Sequence, residues 1–231
     1  MISRRNILTG GITSIILASI PKRLFADKKK FDEYCFRIKP DLSIGVREIT
    51  TTPEKFLQNN QNVQAAINGP YFGFDNKTEG IVFLADNNYF GTRKPEHIRG
   101  YFTVNKNGNK VQVNEKLPKD FSNYWLVIGT HPILVSNEEI NSQARENRYN
   151  KIGLRSAIGT KDEKDICFAV SRKELSMLDW ANELKVAGYN GAINLDGGPF
   201  SQLSIRDNKS IKKLGKGNQE TKLIIFSYYK K

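Results

Sequence analysis

The sequence predicts an α+β fold: a single domain with a mixed, largely antiparallel sheet and few helices. Short runs rich in branched and aromatic residues recur along the chain, separated by Gly, Asn and Asp. Many short strands produce that pattern. Only two segments carry clear helix start signals. The 231 residues, 39% of them apolar, are enough to bury one ordinary core. No internal repeat, long linker or low-complexity tract divides them.

The first 26 residues stand apart. Adjacent Arg4 and Arg5 precede an apolar run from Ile7 to Ile20 that Gly10 and Gly11 interrupt, and Leu24-Phe25-Ala26 offers a cleavage site before Asp27. A basic start, a short apolar stretch and a small residue at its end make an export signal. The string Ser-Arg-Arg-x-Ile-Leu is similar to the twin-arginine signal, read by a receptor of the twin-arginine export machinery. The expectation is an export signal over 1–26 and one domain over 27–231. The mature protein would then be periplasmic or secreted, with no stable membrane anchor after cleavage. An uncleaved anchor is the competing reading, and the short, glycine-broken run argues against it.

Strand-like runs follow at Tyr34–Ile38, Ser43–Ile49, Val63–Asn68, Ile81–Ala85, Arg99–Val104 and Val111–Val113. Asn107-Gly108 between the last two reads as a hairpin turn. A first helix is expected from Pro53 to about Asn59, with Thr52 as cap, Pro53 at the first helical position and Glu54 at the positive end of the dipole. Tyr124–Ile128 and Pro132–Val135 read as strands around Gly129-Thr130, and Glu138–Lys151 as a polar surface loop or irregular helix. Strands are again expected at Leu154–Gly159 and Asp165–Val170. The main helix is expected to start at Ser171, in a capping box with Glu174, and to run through Met177, Leu178, Ala181 and Leu184 to Gly188. Ala192–Leu195, Gln202–Ile205 and Leu223–Tyr228 complete the sheet material.

Composition narrows the function classes. Loss of residues 1–26 leaves 32 basic against 24 acidic residues, a net charge of +8 in place of +12. That balance suits phosphates or anionic polymers, or else describes only a solvated lysine-rich surface. No basic helix or aromatic-basic interleaving marks a nucleic-acid reader, so nucleic acid is excluded as a partner. The two cysteines, Cys35 and Cys167, lie in apolar strand-like strings and are expected as buried free thiols, although export permits a disulfide. Two cysteines and two histidines offer no zinc spacing.

Four strings could carry chemistry. In Asn194-Leu195-Asp196-Gly197-Gly198-Pro199-Phe200-Ser201, a buried strand stops at an acid and two glycines, which let the backbone approach a ligand closely; a capped hairpin corner is the competing reading. In Asn68-Gly69-Pro70-Tyr71-Phe72, the Asn68 amide could bond a phosphate or sugar oxygen and Tyr71 could stack on a sugar, or both could serve a turn and a core. Glu79 precedes the next strand. His131 sits between two apolar strands, as a proton donor or as a structural ring. Arg155 interrupts a strand, where its fork would take either a phosphate or an internal carboxylate.

Together and in this order, the four strings resemble the phosphodiester glycosidases. Members of that family show an Asn-Gly-Gly-Phe-Phe-like string, a Gly-x-Pro-x-Leu-Val string, an Arg-x-Ala-Ile-Gly string and an Asn-Leu-Asp-Gly-Gly-Gly-Ser-Ser string. Here they stand as residues 68–72, 129–135, 155–159 and 194–201. Pro70 takes the place of a glycine and Pro199-Phe200 that of a Gly-Ser pair, while Ser201 keeps its hydroxyl.

The resemblance implies hydrolysis of the glycosidic bond to phosphate in a sugar-1-phosphodiester, with a sugar-phosphate or polysaccharide as substrate. Asp196 is expected as the catalytic acid group, with Glu79 as second carboxylate and His131 as donor. Asn68, Arg155, Gly197, Gly198, Ser201 and Tyr71 are expected to bind substrate. No cofactor and no metal ligand set is expected; a divalent cation on Asp196 and Glu79 is left open. A second reading is a non-catalytic binder of an anionic surface polysaccharide, suggested by the altered Pro199-Phe200 segment and the basic surface.

Overall fold

Three antiparallel sheets enclose the core. The computed structural model describes residues 31–39, 42–72, 78–85, 88–91, 98–208 and 210–230; the export signal expected over 1–26 lies outside them. The first sheet runs β1 (Phe31–Arg37), β12 (Asp165–Ser171), β11 (Ser156–Thr160), β13 (Gly191–Asn194), β9 (Ile133–Ser136) and β10 (Glu139–Ile140). The second runs β15 (Ser210–Leu214), β14 (Leu203–Asp207), β3 (Val63–Asn68), β16 (Thr221–Tyr229) and β2 (Leu42–Thr51). The third runs β5 (Asn88–Gly91), β4 (Ile81–Leu84), β8 (Tyr124–Thr130), β6 (Gly100–Asn105) and β7 (Val111–Asn114). Among the described residues two α-helices accompany them, α1 (Pro53–Asn59) and α2 (Met177–Val186). The α+β class expected from the sequence holds.

Side-chain alternation sorts each strand between two environments. Ala65 and Ile67 of β3, Leu126 and Ile128 of β8, and Ile166, Phe168 and Val170 of β12 all enter one central cluster shared by the three sheets. Their neighbours face outward into smaller clusters. Ala66 packs beneath α1 with Phe56 and Leu57, Val127 meets Ile98 and Tyr101, and Ala169 lies beneath α2 with Trp180, Ala181 and Leu184. The core therefore has an inner layer between the sheets and an outer layer beneath each helix. No helix among the described residues is long and apolar enough to cross a membrane.

Helix α1 forms as expected: the Thr52 hydroxyl accepts from the Lys55 N–H at 3.2 Å, and Pro53 opens the first turn. Helix α2 corrects the expectation. It begins at Met177, capped by Ser176, whose hydroxyl accepts from Asp179 N–H at 3.0 Å and donates to the Asp179 carboxylate at 2.7 Å. The Ser171/Glu174 pair forms no box because Ser171 ends β12 and its hydroxyl accepts from Arg155 N–H. Leu175 is also held extended by two backbone bonds to Gly153.

The cysteines correct a second expectation. Strand β1 lies antiparallel to β12 with Cys35 directly opposite Cys167. The Cα atoms are 4.1 Å apart and a disulfide joins them. Cys167 is buried while Cys35 is exposed. The free, buried thiols expected from the apolar strings are therefore one cross-strand bridge.

Candidate active site

The four strings, remote in sequence, meet where the ends of β3, β13 and β14 adjoin the start of β11. Asp196, just past β13, donates its backbone N–H to Gly69 O at 3.0 Å, and Leu195 N–H reaches Ser156 O at 2.9 Å. The Asp196 carbonyl receives two side chains, Asn68 Nδ2 at 2.8 Å and Ser156 Oγ at 2.6 Å. With its main chain tied from both neighbouring sheets, the Asp196 side chain has a fixed origin. That is how a strand end aims a functional group.

The Asp196 carboxyl is 9% exposed. Burial pushes its pKa up from 3.8 to about 7; the Gly197 N–H, donating to Oδ1 at 2.8 Å, pulls it down, and the charge of Glu79 pushes it up further. Such a group exchanges a proton near neutrality, which general acid–base chemistry requires. Glu79 itself is exposed, its N–H bonded to Tyr71 O at 2.7 Å.

Arg155 reaches the turn that follows this carboxyl, with its Nη1 on the Gly197 side. It precedes β11 rather than interrupting a strand, because its own N–H bonds the Ser171 hydroxyl at 2.8 Å. Only 8% of the residue is exposed. Its Nε donates to Leu175 O at 3.0 Å and its Nη2 to Lys151 O. No carboxylate among the described residues pairs with it, and burial lowers its pKa. The internal salt bridge considered from the sequence is not formed. Nη1 points toward Gly197: a first side-chain carbon there would come to 3.9 Å from Nη1 and 2.9 Å from Leu154 O. Glycine thus keeps the cation and the Asp196 turn together.

The remaining expected residues divide between scaffold and surface. Asn68 is fully buried, and its amide is spent on the backbone: Nδ2 on Asp196 O and Gly69 O, Oδ1 accepting from Gln202 N–H at 3.2 Å. It holds the turn and has no free group for a sugar. The N–H of Gly197 goes to Asp196 Oδ1, and that of Gly198, a residue at φ +60°, goes to Leu154 O at 2.8 Å. Neither glycine offers a free backbone donor. Ser201 is buried, its hydroxyl 3.2 Å from that of Ser156. Tyr71 and His131 are half-buried and stack with ring centroids 4.9 Å apart, and Tyr149 packs at 5.7 Å on the other side of the histidine.

Sequence reasoning passed over Asn194, Ser156 and Tyr149. Asn194 is fully buried, donates from Nδ2 to the Tyr71 hydroxyl and to Leu195 O, each at 2.5 Å, and its Oδ1 has no partner among the described residues. A buried orphan acceptor costs about 1–3 kcal/mol, a burden tolerated where function requires it. Its signal was an amide on a strand of otherwise apolar or small residues, two positions before the acid. Among the described residues, no group of three or more His, Cys, Asp or Glu side chains is placed to hold a metal.

A buried protonatable carboxyl at a turn that a buried arginine also reaches is the kind of centre acid–base enzymes turn on anionic substrates. The chain belongs to the phosphodiester glycosidase family, whose model matches residues 61–224, a family of hydrolases acting on sugar phosphodiesters. Its fold is similar to that of the catalytic domain of zebrafish N-acetylglucosamine-1-phosphodiester alpha-N-acetylglucosaminidase, solved auto-inhibited by its pro-peptide. That likeness has TM-score 0.60 at 16% identity and covers 89% of this chain and 85% of that one. A hypothetical protein from Synechocystis is similar at TM-score 0.54 and 14% identity, over 87% of this chain and 59% of the other. No curated protein matches the chain.

Proposed function

We propose that the protein is an exported hydrolase that cleaves the glycosidic bond of a sugar-1-phosphodiester in envelope or exopolysaccharide material. The observation that carries this reading is Asp196, buried and poised near neutrality at a turn whose Gly197 faces Arg155 Nη1. In the reaction, the ionised Asp196 takes a proton from the attacking water as its oxygen bonds the anomeric carbon. The bond from that carbon to the phosphate oxygen breaks, leaving a free sugar and a phosphate monoester. The departing oxygen is already a good anion, so neutralising phosphate charge matters more than protonating it. Nη1 of Arg155 is the group for that task, since the other bonded nitrogens of the fork hold it in place. The ring pair of Tyr71 and His131 supplies a face for the sugar, and Glu79 sustains the raised affinity of Asp196 for its proton.

The test is sugar release from UDP-N-acetylglucosamine and other sugar-1-phosphodiesters by the purified protein and its Asp196→Asn variant. Turnover should fall by about 10²–10⁴-fold; unchanged turnover removes Asp196 from the mechanism. The binder reading draws support from the turn after Asp196, where both glycine N–H groups are engaged and Pro199 has none. It predicts no product from any phosphodiester, and polysaccharide affinity that survives Asp196→Asn. Export rests on Arg4 and Arg5: replacing both with lysine should retain the protein in the cytoplasm.

A further inference from the structure

The Tyr71 hydroxyl is held by a buried amide. Asn194 Nδ2 lies 2.5 Å from it and 2.5 Å from Leu195 O. A carbonyl oxygen can only accept, so the amide nitrogen, not the amide oxygen, occupies that position and the orientation of Asn194 is fixed. The Tyr71 oxygen must then accept from Asn194, and its own proton must point elsewhere. No second hydrogen bond of that hydroxyl is seen among the described residues. The ring cannot swing to find one, being stacked on His131, which is itself packed against Tyr149. Tyr71 interacts electrostatically with both Asp196 and Arg155, so the stranded proton lies in the field of the same two groups. Burial and the charge of Asp196 raise its pKa, so the phenol keeps its proton at any pH at which the protein works.

We infer that Tyr71 is a catalytic hydrogen-bond donor to the departing phosphate oxygen, and that Asn194 is the positioning residue that turns its proton toward that oxygen. This rests on the hydrolase reading above and adds a role to it. As the bond from the anomeric carbon to the phosphate oxygen breaks, its electron pair passes to the phosphate. Tyr71 stabilises that growing charge without giving up its proton. The water's proton goes to Asp196 and from there to solvent or the phosphate monoester. A donor aimed at charge that appears only in the transition state acts on kcat and not on ground-state binding.

The experiment measures kcat and KM for UDP-N-acetylglucosamine with the full chain and the variants Tyr71→Phe, Asn194→Leu and the double variant, each checked by thermal melting. Tyr71→Phe should lower kcat by about 10²–10³-fold with KM nearly unchanged. Asn194→Leu should lower kcat in the wild-type background and have little further effect in the Tyr71→Phe background, because it acts through the hydroxyl. A purely structural Asn194 would instead add its loss in both backgrounds. An active wild type with unchanged kcat in Tyr71→Phe, an effect confined to KM, or fully additive losses overturns the inference alone. A wild type that releases no sugar, while Asp196→Asn behaves identically, overturns the hydrolase reading and this role with it.

Discussion

The carboxamide of Asn68 clasps the main-chain carbonyl of Asp196 at 2.8 Å, joining the end of β3 to the turn after β13 across 128 residues of sequence. The same side chain accepts from Gln202 N–H, so one buried amide ties three segments of the site. Replacing it with alanine takes one of two donors from the Asp196 carbonyl and leaves the buried Gln202 N–H without this acceptor. Asn68→Ala should destabilise the protein by about 2–4 kcal/mol and lower kcat in the same preparation, as read by denaturant unfolding and sugar release. Full stability would show that the clasp contributes nothing.

Asp196 makes stability depend on pH. Its carboxyl binds a proton with pKa about 7 when folded against 3.8 as a free side chain, so the folded state holds the proton more tightly. The stability this contributes is complete below about pH 4 and is lost as pH rises through 7, when a buried charge must be carried. Three units correspond to roughly 4 kcal/mol. Asp196→Asn should therefore match the wild type near pH 4 and exceed it increasingly toward pH 8 in urea titrations. A gap that stays constant with pH contradicts a raised carboxyl.

The bridge between Cys35 and Cys167 closes a loop of 132 residues and holds the edge strand β1 on its sheet. Reduction should cost about 2–5 kcal/mol, seen as a fall in melting temperature with reductant that a Cys35→Ser/Cys167→Ser variant does not show. Equal melting with and without reductant would mean that the ladder, the ion pairs of Asp32, Glu33 and Arg37 and the packing of Phe31 and Phe36 hold the strand without the bridge.

What the sequence made legible is what local physics decides. Alternation along β8 and β12, the Thr52 cap and the stop of β13 at an acid all depend on a few neighbouring residues. The start of α2 shows the limit: two serines, Ser171 and Ser176, each stand three residues before an acid. The choice was made by Arg155, which claims the first serine from a distant segment. The cysteine pair failed for the same reason, since only register between β1 and β12 brings it together. In the candidate site, the placement of Asp196 just past a buried strand was legible from the apolar run before it. The use of the Asn68 amide and of the glycine N–H groups was not, because each depends on which remote partner reaches it first. Asn194 went unassigned because nothing local distinguishes an amide that orients a ring from one that closes a turn.

Strand β16 lies between β2 and β3, paired to both. Among the described strands it is also the last in chain order. Until it inserts, β2 lacks its partner along the middle sheet, and the face that positions Asn68 is open at its centre. The candidate site is therefore assembled only once β16 has inserted between its two neighbours.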